Sequence, residues 1–336
     1  MMDKALLEKI ASDLVAPGKG ILAADESNGT MTNRLESVGV PSSPETRRAY
    51  RANLFATSGY ESAVSGVILF DETIRQKMDD GTKIPDYLIS RGIYPGIKVD
   101  TGAKNLANQG DEKVTEGLDG LRDRCAEYYK MGAKFAKWRA VIKIGEDMPS
   151  EACISANSHA LARYASICQE QGLVPIIEPE VLMDGNHSAD RCFEVTGNIL
   201  DATYSECIIQ GVHLPGTLLK PNMIIQGKNS NTKISREEVA EKTVECLSLH
   251  VPKEVPGIVF LSGGQSDEDA TAHLNLMNKI SKNLPWELSY SYGRGLQAES
   301  LIIWGKQNEF SDKKSQEAFA HRAEMNSLAR SGKAPI

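Results

Sequence analysis

Eight short apolar runs, separated by longer segments with helical signals, constrain this sequence more than any other feature. They are GILAAD (20–25), AVSGVILFD (63–71), YPGIKVD (94–100), FAKWRAVIK (135–143), LVPIIEPE (173–180), TLLKPNMI (217–224), GIVFLSGG (257–264) and ELSYSYG (287–293). Each is nearly continuous in its apolar character, the pattern of a parallel strand covered on both faces. The intervening segments carry helix starts and stops. Ser43-Pro44-Glu45 supplies a cap and a first-turn proline, and Ser235 with Glu238 has capping-box spacing, with Ser266 and Asp269 as a weaker version. Leu118, Leu121, Cys125 and Tyr128 recur at helical spacing up to Gly132, and a last helix is expected from about Lys313 to Arg330. Eight strands alternating with helices predict a single (β/α)8 TIM barrel. An open doubly wound sheet is the competing α/β arrangement, but it calls for a glycine-rich dinucleotide turn after the first strand, and DESNGT is not G-x-G-x-x-G. No composition break or linker divides the chain, so one domain over residues 1–336 is expected, with a loose tail from about 331, SGKAPI.

Composition narrows the partners. The net charge of −7 lacks the basic footprint of a nucleic-acid binder, so an anionic ligand must be held by local cations. The first twenty residues contain no signal-peptide core, and no apolar run approaches the roughly 18 residues that span a membrane. The six cysteines fall singly with no C-x-x-C spacing, which reads as free thiols in a reducing, cytoplasmic setting. The six histidines show no paired spacing, and no metal or other cofactor is expected.

Charged residues inside the apolar runs carry the chemistry. Lys98 and Asp100, Lys137 and Arg139, and Glu178 and Glu180 are each two apart, so each pair projects from one face of its strand. If those faces point inward, five strands, counting Asp25 and Lys220, bring charge to one axis at the end where barrel active sites lie. Lys98 with Asp100, or Lys137 with Glu178, could instead be structural ion pairs. A layer of aliphatic residues would be cheaper for stability, which favours a functional reason for keeping them all. Lys220 sits in GTLLKPNMI among leucines and a proline; burial and neighbouring positive charge favour a neutral amine able to form a Schiff base. Glu178, among apolar neighbours and a proline, is expected to have a raised pKa suited to proton transfer, with Asp25 a second base. SGGQS (262–266) and SYGRG (291–295), which contributes Arg294, are glycine turns placed where barrels of this kind bind phosphate.

These motifs, GILAADES, FAKWRAVIKIGE, LARYASICQEQGLVPIIEPE, GTLLKPNM, FLSGGQS and SYGRGLQ, resemble those of class I fructose-bisphosphate aldolase, in the same order and over nearly the whole chain. The resemblance implies metal-independent, reversible cleavage of fructose 1,6-bisphosphate to dihydroxyacetone phosphate and glyceraldehyde 3-phosphate, in glycolysis and gluconeogenesis. It implies that Lys220 is the Schiff-base lysine, and that Glu178 is the acid and base of carbinolamine formation and dehydration, with Glu180 in support. Asp25 would take the C4 hydroxyl proton, while Lys137, Arg139 and Lys98 orient the substrate. Ser262, Gly263, Ser291, Gly293 and Arg294 would hold the C1 phosphate, and Ser27, Thr30 and Arg34 would lie near the other phosphate. It further implies a cytoplasmic homotetramer, with cytoskeletal or adaptor contacts known in the family. Two departures stand out. Asn33 occupies a position where relatives commonly carry lysine, leaving open the choice between the bisphosphate and fructose 1-phosphate. The ending SGKAPI replaces a longer tail ending in tyrosine, which implies slower or differently assisted enamine protonation. A transaldolase, a dehydratase, or a non-catalytic scaffold are the competing functions.

Overall fold

The computed structural model describes residues 2–281, 283–308 and 311–335. Its strands, in chain order, are β1 (Gly20–Ala24), β2 (Val64–Leu69), β3 (Tyr94–Lys98), β4 (Gly102–Asn105), β5 (Lys113–Glu116), β6 (Phe135–Ile142), β7 (Val174–Val181), β8 (Leu218–Leu219), β9 (Gly257–Phe260) and β10 (Glu287–Tyr292). Eight of them, β1, β2, β3 and β6 to β10, close into a parallel barrel in which each strand pairs with its sequence neighbours, the two ends meeting where β1 joins β10. This is the expected TIM barrel. β4 and β5 form a separate antiparallel pair in a region for which the sequence reading assigned no strand.

The expected helix starts are present. Ser43 caps Pro44–Phe55 and Ser235 caps Arg236–His250, each in a reciprocal capping box, and Ser266 caps Asp267–Ile280. The stripe ending near Gly132 belongs to the helix Leu121–Lys130, and Gly132 has a positive φ of 108°. The last helix runs Ser311–Arg330. The segment after it is not wholly loose: Ala334 is buried and its N–H donates to Asn275 Oδ1 at 2.9 Å, while the final residue, Ile336, lies outside the described residues.

The run TLLKPNMI is strand only at Leu218–Leu219. Pro221 has no N–H with which to continue the ladder. Lys220 still donates its backbone N–H to Ile177 O at 2.8 Å, so the lysine leaves β8 in register with β7.

A helix before the first strand, Lys4–Leu14, went unassigned in the sequence. Asp3 caps it by accepting from Leu6 N, and Leu7, Ile10, Ala11 and Leu14 form its buried face. That face packs on the inward residues Ile21, Ile68, Phe135, Val174, Ile176, Leu218 and Val259, sealing the N-terminal end of the barrel with hydrocarbon. Each such aliphatic side chain contributes about 1.5–3 kcal/mol by burial. The large cleft lies at the opposite end, where the strands finish.

Candidate active site

Strand alternation carries each inward row from apolar to charged as it rises. Ile21 and Ala23 lead to Asp25, Phe135 to Lys137 and Arg139, Val174 and Ile176 to Glu178 and Glu180, and Leu218 to Lys220. Register sets which charges meet: Lys98 lies opposite Lys137, and Arg139 opposite Glu178. The result is a chain of contacts at the open end. Lys220 Nζ is 3.3 Å from Glu178 Oε1; Lys137 Nζ is 3.3 Å from Glu178 Oε2 and 2.8 Å from Asp25 Oδ2. All four residues are buried.

Burial opposes charge on each member, and the neighbours decide the outcome. For Asp25, burial raises the pKa, but Lys137 and then Lys220 lower it further, to about 2. Burial likewise works against the Lys137 ammonium, yet Asp25 and Glu178 hold its pKa above the ordinary lysine value. Glu178 corrects the sequence expectation. Burial does push its carboxyl up, but Lys137, Lys220 and Arg139 more than reverse this, and the net shift is downward. Apolar flanks along the strand predicted the wrong sign because the cations come from other strands. Glu178 Oε2 makes no directed hydrogen bond, so a lone pair remains for a substrate group.

Around this core the cleft has a volume of about 960 Å³, and its lining includes all fifteen sequence-predicted site residues. Arg139 donates to Glu180, and Lys98 Nζ lies 2.5 Å from Asp100 Oδ1, so the Lys98–Asp100 and Lys137–Glu178 pairings weighed as structural ion pairs both exist within the site. Gly263 is close to Glu180: a Cβ there would come within 2.9 Å of Glu180 Oε1. Ser291 Oγ is buried with no hydrogen-bond partner, and Arg294, exposed at the start of the helix Arg294–Trp304, has neither a hydrogen-bond nor an ion-pair partner among the described residues. These are unsatisfied donors facing a cleft. On the other side, Ser27 caps the helix Asn28–Ser37, its Oγ 3.1 Å from Thr30 Oγ1, and Arg34 on that helix donates to Glu26.

Sequence reasoning missed several lining residues. Glu26 holds Arg34 and also accepts from Gln297 Nε2 at 3.2 Å; it could have been suspected from its place beside Asp25. Arg75, Arg124 and Tyr128 also line the cleft, Arg124 and Tyr128 from the helix Leu121–Lys130, where helical spacing marked Tyr128 as a packing residue, and so do Asp184 and Lys228, from loops without periodicity. Asn222 Oδ1 accepts from Val181 N at 2.9 Å, joining the chain beyond Lys220 to the end of β7. The nine lysines and arginines lining the cleft outnumber its eight carboxylates, in a chain of net charge −7, which suits an anionic ligand. Among the described residues no cluster of three histidine, cysteine or acidic side chains is placed to hold a metal ion.

Comparison with known proteins agrees with this geometry. The family described as class-I fructose-bisphosphate aldolase matches residues 6–335. A probable fructose-bisphosphate aldolase class 1 of Xanthomonas axonopodis pv. citri is 55% identical, with 97% of this chain and 98% of the relative covered. Fructose-bisphosphate aldolase 6, cytosolic, of Arabidopsis thaliana is 52% identical, covering 96% of this chain and 92% of the relative. A solved fructose-bisphosphate aldolase from Plasmodium falciparum, in complex with TRAP and a small-molecule inhibitor, superposes with a TM-score of 0.97 at 45% identity, covering 99% and 96% of the two chains. At this identity and coverage the activity is fructose-bisphosphate aldolase, a metal-independent lyase activity of glycolysis. The chain belongs to the class I fructose-bisphosphate aldolase family.

Proposed function

We propose that Lys220 is the Schiff-base nucleophile of this aldolase, on one domain spanning the chain, with proton transfer by Glu178 and Asp25. The observation that carries the reading is the buried contact chain Lys220–Glu178–Lys137–Asp25. Lys220 attacks the C2 carbonyl, giving up a proton that Glu178, 3.3 Å away and ionised, can accept. Passed to the new alkoxide, that proton makes the carbinolamine hydroxyl, and a second proton, taken up by Glu178 from solvent, lets water leave as the iminium forms. Asp25, ionised at neutral pH, then takes the C4 hydroxyl proton. The C3–C4 electrons flow into the iminium as the aldehyde departs, leaving an enamine that is protonated at C3 and hydrolysed to release dihydroxyacetone phosphate. Lys137 keeps both carboxylates ionised, Glu180 supports Arg139, and Arg139 with Lys98 orients the sugar. Ser262, Gly263, Ser291, Gly293 and Arg294 bind the C1 phosphate, a reading supported by the unpartnered Ser291 hydroxyl and Arg294 guanidinium. Ser27, Thr30 and Arg34 serve the C6 phosphate.

Borohydride treatment with dihydroxyacetone phosphate should inactivate the enzyme and leave a reduced adduct on Lys220 by peptide mass spectrometry. An adduct elsewhere, or none, overturns the assignment. Cleavage rates for fructose 1,6-bisphosphate against fructose 1-phosphate then test what Asn33 costs at the C6 end.

Three further readings, two of assembly and one of location, accompany this one. A homotetramer is supported by exposed Ile208, Ile209 and Leu249 at the ends of two helices, and light scattering measures it. A cytoplasmic workplace is supported by the Arabidopsis thaliana relative named cytosolic. Adaptor contacts, suggested by the TRAP complex of the Plasmodium falciparum relative, are tested by whether a Lys220→Met variant retains them.

A further inference from the structure

We propose that Lys228 is a phosphate ligand at the C1 end of the cleft, held in the free enzyme by Asp184 and transferred to the substrate on binding. The inference rests on the assignment of Ser262, Gly263 and Arg294 to the C1 phosphate. Lys228 and Asp184 both line the cleft, and the motif match gives neither a role.

The backbone fixes where this lysine starts. Lys228 N donates to Met183 O at 2.8 Å and Asn229 N to Gly185 O at 2.9 Å, lacing the loop after β8 to the loop after β7. The side chain then crosses to the glycine turn after β9. Its Cε lies 3.0 Å from where a Cβ on Gly264 would stand, and Gly264 has a φ of +73°. Glycine at 264 therefore answers a left-handed turn together with the close passage of the Met183 thioether, which is the nearer, and of the Lys228 stem. The lysine stem thus passes beside the turn that contributes Ser262 and Gly263, and all three residues line the same cleft.

Its present partner is a weak competitor. Lys228 Nζ lies 3.0 Å from Asp184 Oδ1, with the two side chains 50% and 62% exposed. An exposed pair of this kind is worth little, so exchanging it is cheap. A phosphate already engaged by Arg294 and the turn offers a more highly charged acceptor. The other cations of the cleft are committed elsewhere: Lys137 to two carboxylates, Lys220 to Glu178, Arg139 to Glu180, Lys98 to Asp100, Arg34 to Glu26, Arg75 to Asp71 and Glu127, and Arg124 to the carbonyls of Val99 and Gly117. Arg294 and Lys228 are the two left for this end.

The condensation direction separates the ends, because each substrate carries one phosphate and only dihydroxyacetone phosphate places its phosphate at C1. Lys228→Ala should raise KM for dihydroxyacetone phosphate about fivefold, leaving kcat and the KM for glyceraldehyde 3-phosphate unchanged. Lys228→Arg should restore it, and Asp184→Asn should lower it by removing the competing carboxylate. Arg294→Ala is the control. If Arg294→Ala raises the dihydroxyacetone phosphate KM and Lys228→Ala does not, the Lys228 inference fails and the phosphate assignment stands. If neither variant moves it, the phosphate assignment itself is wrong. A rise confined to glyceraldehyde 3-phosphate also overturns the inference, since it would put Lys228 at the other end.

Discussion

Replacing Lys137 with methionine keeps most of the side-chain stem and deletes the charge on which two carboxylates depend. Lys137 Nζ is 2.8 Å from Asp25 and 3.3 Å from Glu178, with the three side chains only 5%, 11% and 4% exposed. Removing one partner of a buried ion pair costs about 3–5 kcal/mol, because the other partner is left uncompensated. Glu178 keeps Lys220 at 3.3 Å, so Asp25 is the carboxylate left bare. In the native site Asp25 titrates at about 2 rather than 3.8, a depression worth roughly 2 kcal/mol. That stability is present above 3.8 and is lost as pH falls through about 2. In Lys137→Met the sign reverses. Burial, the largest influence on Asp25, is then opposed by Lys220 and Lys98 without Lys137, and the folded pKa is expected to rise above the unfolded one. The variant's deficit is then greatest above that raised folded pKa and shrinks as pH falls toward the unfolded value. Urea denaturation at fixed protein concentration, followed by tryptophan fluorescence, should give a deficit of about 3–5 kcal/mol near pH 8 and a clearly smaller one near pH 5. A deficit under about 1 kcal/mol, or one flat across that range, would refute the charge-chain account.

Three further substitutions probe separate parts of the site. Glu178→Gln should slow borohydride trapping on Lys220 by about 10²–10⁴ while substrate affinity is largely kept, and an unchanged single-turnover rate would remove Glu178 from proton transfer. Asn222→Ala leaves the Val181 N–H without its acceptor and should cost about 1–3 kcal/mol in urea denaturation, with a neutral result showing that another group takes over. Gly96→Ala would drive a methyl into the Phe135 ring in the barrel floor, and a melting experiment should find a loss of about 1–3 kcal/mol; an unshifted midpoint would mean that the floor has room to relax.

Much of the site was legible in the chain because a strand's period of two is a local property. The spacing of Lys137 from Arg139, and of Glu178 from Glu180, was enough to put each pair on one face. The apolar runs and the capping residues likewise announced a barrel of alternating strands and helices. What the spacing could not carry is company. Asp25 and Lys137 meet across the barrel axis, a contact fixed only when the strands close in register, and those cations turn the Glu178 shift downward against its apolar flanks.

The same division runs through the rest of the molecule. Composition, periodicity and ordered motifs determined by themselves the fold class, the inward charges and the lysine in GTLLKPNM, since each depends on residues a few positions apart. Only the tertiary structure decided that β8 stops at Leu219 with Asn222 bonding back to β7, that the helix Lys4–Leu14 seals the floor, and that Lys228 passes over Gly264. Those arrangements depend on strand register and loop packing between segments far apart in sequence, and such long-range closure leaves no local pattern to read.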